Sequence, residues 1–204
     1  MRIFNNSPRL PRVAPVVCAA FLATLPVISA ADEVTDSIKE ATDAYEQGDH
    51  TSAIENLNYA VQLIQQQKGK ALEALLPEAP DGWSAEEAES TAVGAAMFGG
   101  GVTAERRYTR GDSSISVQIV TDSPMLQGMM ALFTNPMFAA SNGGKMEKVA
   151  GQKVISSYDS SKQGGDYKIA VANRFLVTVT GDKVSKEDME TFVKGIDFDA
   201  MEKS

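Results

Sequence analysis

The apolar residues of this chain change their spacing once. From Ala53 to Ile64 they fall at Ala53, Ile54, Leu57, Ala60, Val61 and Ile64. That is the i, i+3, i+4, i+7 pattern of one helix face. From Ile115 to Ile119 they fall at every second position, with Ser116 and Gln118 between them, which is the pattern of a half-buried strand. Pro77 and Pro80 stand between the two regimes and stop a helix. The chain is therefore expected to be α+β, with a helical first part and an antiparallel sheet after it.

The first part reads as a helical hairpin over 32–76. Val34, Ile38, Ala41 and Tyr45 recur at helical spacing, and Gly48-Asp49 interrupts them. Thr51 or Ser52 is the expected N-cap of a second helix, 51–76. Its stripe of Leu57, Val61 and Ile64 is expected to dock on the sheet or on a partner helix. His50, the one histidine, falls in the turn. Any Ser-His-Asp triad would have to recruit it, and no serine sits in a G-x-S-x-G turn.

Residues 77–101 read as a linker and a flexible segment, with a turn at Asp81-Gly82. Gly99–Gly101 precede no Lys-Ser or Lys-Thr pair, so they do not make a phosphate-binding loop. The α+β domain is expected over 102–204. Strands are predicted at 102–110 and 113–121, joined at Gly111-Asp112, and at 153–160, 166–172 and 174–181. A helix capped at Asp122 or Ser123 is inserted after the second strand, and Ser185 caps a C-terminal helix over 186–194. The total is an antiparallel sheet of about five strands with one inserted and one terminal helix.

Two groups invite a binding role. Arg106, Tyr108 and Arg110 alternate along one strand and share its face. That face is either a solvated polar surface or a site for a small anion or carboxylate. Met125, Met129 and Met130 carry thioethers, the soft ligands of copper(I). At about 100° per residue, however, they share an arc with Leu126, Leu132 and Phe133. Core packing therefore explains them without a metal. Gly128, on the opposite arc, is expected to admit a close neighbour. No metal and no cofactor is expected.

The N-terminus sets the expected location. Arg2, Arg9 and Arg12 precede an apolar run from Val13 to Ile28, which ends in Ser29, Ala30 and Ala31. This is the layout of a cleaved secretory signal peptide, residues 1–30, and the periplasm is the expected destination. Cleavage would remove the single cysteine, Cys18, together with three arginines, leaving a charge more negative than the −8 of the full chain. The remainder would have no disulfide and no thiolate chemistry. Its acidity excludes nucleic acid as a partner, and no later stretch predicts membrane insertion.

The segment from Ala44 to Leu63, AYEQGDHTSAIENLNYAVQL, resembles the middle of a tetratricopeptide repeat. Gly48-Asp49 matches its turn, Ala53 and Ala60 its small packing positions, and Leu57 the large one between them. Ala41 and Ala44 stand where that family places Gly and Tyr. The order hairpin, helix, meander, helix over 83–200 is similar to the PsbP-like α+β fold. Together these resemblances imply a protein-binding or assembly role. The expected function is that of a non-enzymatic exported accessory protein, acting through a protein partner or self-association. The alternatives are a metal-handling protein using the methionine helix, and an enzyme of unknown type.

Overall fold

The computed structural model describes residues 30–92, 101–123 and 144–204, with Leu126, Gly128 and Phe133 between the last two stretches. The signal segment up to Ser29, Gly99 and Gly100, and Met125, Met129 and Met130 lie outside the described residues.

The hairpin is formed by α1 (Ala30–Glu46) and α2 (His50–Glu73). Gly48 turns the chain with φ of 79°, a conformation that glycine adopts without steric penalty. The N-cap of α2 is Asp49, not Thr51 or Ser52. Its carboxylate accepts hydrogen bonds from the Ser52 amide at 3.1 Å and the Ser52 hydroxyl at 2.7 Å. A carboxylate at a helix N-terminus also meets the positive end of the dipole, which favours Asp49 over the hydroxyl residues.

Among the described residues the sheet has eight strands rather than about five. They are β1 (Ser84–Ala85), β2 (Glu89–Ala92), β3 (Val102–Arg110), β4 (Ser113–Thr121), β5 (Lys145–Val149), β6 (Gln152–Ser156), β7 (Gly165–Val171) and β8 (Phe175–Asp182). All pairings are antiparallel, in the order β1-β3-β4-β8-β7-β6-β5, with β2 also on β3. The strands without a sequence prediction are β1, β2 and β5, all short and at the margins. Margin strands lack the two-sided burial that writes an alternating pattern. The lysines at 145 and 148 of β5 are exposed, a composition that discourages pairing with a further chain.

Two helices follow, α3 (Lys186–Lys194) and α4 (Phe198–Lys203). Ser185 caps α3 through a reciprocal capping box with Asp188. The core lies on one face of the sheet, where Tyr108, Ile115, Val117, Ile169 and Val179 are fully buried. Phe192 of α3 stands edge-on to Trp83 at 5.1 Å and lies 4.7 Å from Tyr108. Leu72 and Leu76, at the end of the hairpin, join the same core cluster. The opposite face carries Glu105, Arg107, Ser116, Gln118, Thr178 and Lys168, none of them buried.

Gly69 sets how closely α2 approaches the sheet. A Cβ there would overlap the Ser90 hydroxyl and lie 2.8 Å from the Ser90 Cβ. The expected close approach at Gly128 is not found among the described residues, none of which lies within 4 Å of a Cβ built there.

Candidate functional site

The hairpin seam is made of small residues. Ser37 and Ala41 of α1 and Ala53 and Ala60 of α2 are buried, so the two helices pack closely. With the seam filled, the larger apolar residues are displaced to the flank. Leu57 and Val61 are each 50% exposed, Ile64 is 40% exposed and Tyr45 is 66% exposed. Ile38 and Ile54 are also among the exposed large hydrophobics. The stripe of Leu57, Val61 and Ile64 therefore makes no dock on its own sheet.

Two contacts place these residues on a single side of the hairpin. Tyr59 donates to the Glu33 carboxylate at 2.6 Å. At about 100° per residue, Tyr59 and Glu33 lie on the flanks of their helices opposite to Val61 and Ile38. On the other side, the rings of Tyr45 and His50 are 5.5 Å apart, and His50 is in line with Ile54 and Val61. Ile38, Tyr45, Ile54, Leu57, Val61 and Ile64 thus form one two-helix apolar face. The spacing that predicts a docking stripe picks out the α2 half of it. The α1 half depends on how the helices are rotated in the pair, which one helix's spacing does not encode.

Arg106, Tyr108 and Arg110 do share one face of β3, but it is the face covered by the helices. Tyr108 is fully buried, and its hydroxyl donates to the Pro77 carbonyl at 2.5 Å. Burial pushes its pKa up to about 12. Arg106 donates to the same carbonyl at 3.3 Å. Arg110 pairs with Asp188 at 2.8 Å and lies 4.4 Å from the centre of the Trp83 ring. These groups pin the 77–83 segment and α3 to the sheet, and much of their donor capacity is used within the chain.

The polar face of the sheet bears an open cleft of about 450 Å³ lined by Glu86, Glu87, Glu89, Glu105 and Arg107, with Thr91, Thr103 and Gln118. Glu105 accepts from Ser116 at 2.5 Å and from Gln118 at 3.3 Å. Among the described residues, the lining of the cleft includes no His, Cys or Ser. Among the described residues, no three His, Cys, Asp or Glu side chains are grouped to hold a metal ion. His50 begins α2, far along the chain from the sheet, with Tyr45 as its ring contact. Among the described residues no helix is long and apolar enough to cross a membrane.

No protein-family model matches the chain, and neither a curated protein nor a solved structure matches it.

Proposed function

We propose that this protein is a non-enzymatic exported accessory protein that works by protein contact through its helical hairpin. The observation that carries the reading is the exposed apolar face of Ile38, Tyr45, Ile54, Leu57, Val61 and Ile64. Single exposed apolar residues are ordinary on a protein surface, but a contiguous group marks an interaction site. Its position matters as well. The sheet core is complete without it, because the polypeptide covers that core with α3, α4 and the end of α2. The tetratricopeptide-like turn and alanine seam point the same way, and the basic-apolar-small order of residues 1–30 supports export to the periplasm.

A photoreactive amino acid at Val61 tests the reading in the native host. Light should produce a covalent protein adduct in the periplasmic fraction. The same probe at Arg107, exposed on the polar sheet face, serves as the control. An adduct yield at Val61 no greater than at Arg107 would remove the basis for the proposal.

A further inference from the structure

The geometry points to a second copy of this chain as the occupant of the hairpin face, in a symmetric pairing of two hairpins into a four-helix layer. This rests on the contact reading above and names the partner. Along the face, α1 presents Thr35, Ile38, Thr42 and Tyr45, and α2 presents Ile54, Leu57, Asn58, Val61, Ile64 and Gln65. None carries a formal charge, on a chain whose net charge is −8. The first charged residue in line with the stripe is Lys68, and it is paired with Asp122. Glu46, at the turn end of α1, is the one carboxylate beside this face that a basic peptide would meet, and an anionic lipid surface would find no Lys or Arg before Lys68. A copy of the same neutral face brings no unpaired charge into the interface.

Shape and area agree with this occupant. The α1 half is lean and the α2 half is rich in large aliphatic residues. The Thr42 hydroxyl donates to the Ile38 carbonyl at 2.9 Å, so its hydrogen-bond need is met within the helix. A twofold axis parallel to the helices lays the lean α1 of one copy over the rich α2 of the other, antiparallel, with Ile38 over Leu57 of the second copy. Such an isologous contact closes at two chains. The six apolar side chains offer on the order of 500 Å² of surface, at the upper end of what monomers leave open. With the neutral rim, each copy approaches the ~800 Å² per partner of a stable interface.

Sedimentation of the exported, processed chain over a wide concentration range tests the pairing. The wild type should run at twice the chain mass. Leu57→Glu with Ile64→Glu should weaken the association about 100-fold, with an unchanged circular dichroism spectrum and a thermal midpoint that no longer rises with protein concentration. Mixing Ile38→Cys chains with Leu57→Cys chains should give a disulfide-linked heterodimer. A wild type at single-chain mass throughout, or a dimer untouched by the glutamates, overturns the second-copy proposal. The Val61 probe separates the two levels. A monomer that crosslinks to a different protein overturns only the self-pairing, whereas a monomer with no adduct overturns the contact reading with it.

Discussion

Gly69 carries a constraint out of proportion to its size. In a helix interior, glycine is about 1 kcal/mol less favourable than alanine, so Gly69→Ala should stabilise α2 on propensity alone. The approach of Ser90 reverses the sign. The added methyl would overlap the serine hydroxyl and reach 2.8 Å from its Cβ, closer than real Cβ atoms come. Overpacking of this kind costs about 1–3 kcal/mol, and we expect Gly69→Ala to lower stability in chemical denaturation. Ser90→Gly in the Gly69→Ala background should recover most of the loss. A Gly69→Ala protein more stable than the wild type would mean that α2 does not lie this close to β2. The same site shows what sequence reading lacks. Helical spacing assigns the close approach to Gly128, because it stands opposite an apolar arc. Which glycine meets a neighbour depends on β2, four residues of mostly polar character whose pairing with β3 is non-local.

At the scale of elements, periodicity reads well where both faces of a strand have settled environments. The edges of β3 and β4 coincide with the alternating runs, and Gly111 with φ of 61° supplies the tight turn that the Gly-Asp pair predicts. It reads poorly at β5, where Lys145, Glu147 and Lys148 leave little apolar alternation. The helical stripe on α2 was legible, but not its exposure, since spacing gives a face and not what covers it. The start of α3 was legible for a local reason, because the capping box is written in four consecutive residues. Ser185 donates to Asp188 at 2.8 Å, accepts from the Asp188 amide at 3.1 Å, and the Ser185 amide donates to the Asp188 carboxylate at 3.1 Å. We expect Ser185→Ala to cost about 1 kcal/mol. Phe192→Ala, in the same helix, should cost about 3–5 kcal/mol, because Trp83 and Tyr108 both lose their ring contact. Denaturant midpoints of the two variants measure this order, and a Ser185→Ala loss as large as that of Phe192→Ala would show that α3 is held by its cap rather than by its packing.

Over the whole molecule, α3 is tied to both ends of the sheet by ion pairs, Asp188 with Arg110 on β3 and Lys186 with Glu147 on β5. Burial alone would raise the carboxyl pKa of Asp188, but hydrogen bonds from Arg110 and Ser185 override it and hold the group below its ordinary 3.8. Burial likewise opposes ionisation of Glu147, and Lys186 and Ser156 bring it below 4.5. A carboxyl depressed in the folded state adds stability above its unfolded pKa and loses it as pH falls through the folded value. Tyr108 and Tyr167 have the opposite linkage, because burial raises both from 10.0 to about 12. Their contribution is complete below pH 10 and fades as pH rises toward 12, where the unfolded chain ionises first. Stability should therefore fall on both sides, below about pH 4 and above about pH 10. Asp188→Asn with Glu147→Gln should lower stability at neutral pH and flatten the acid side, leaving the alkaline side in place. Tyr108→Phe should shallow the alkaline side alone. Urea denaturation at a series of pH values measures both arms. An acid side equally steep in the doubly substituted protein would assign acid sensitivity to other carboxylates and detach α3 from that role.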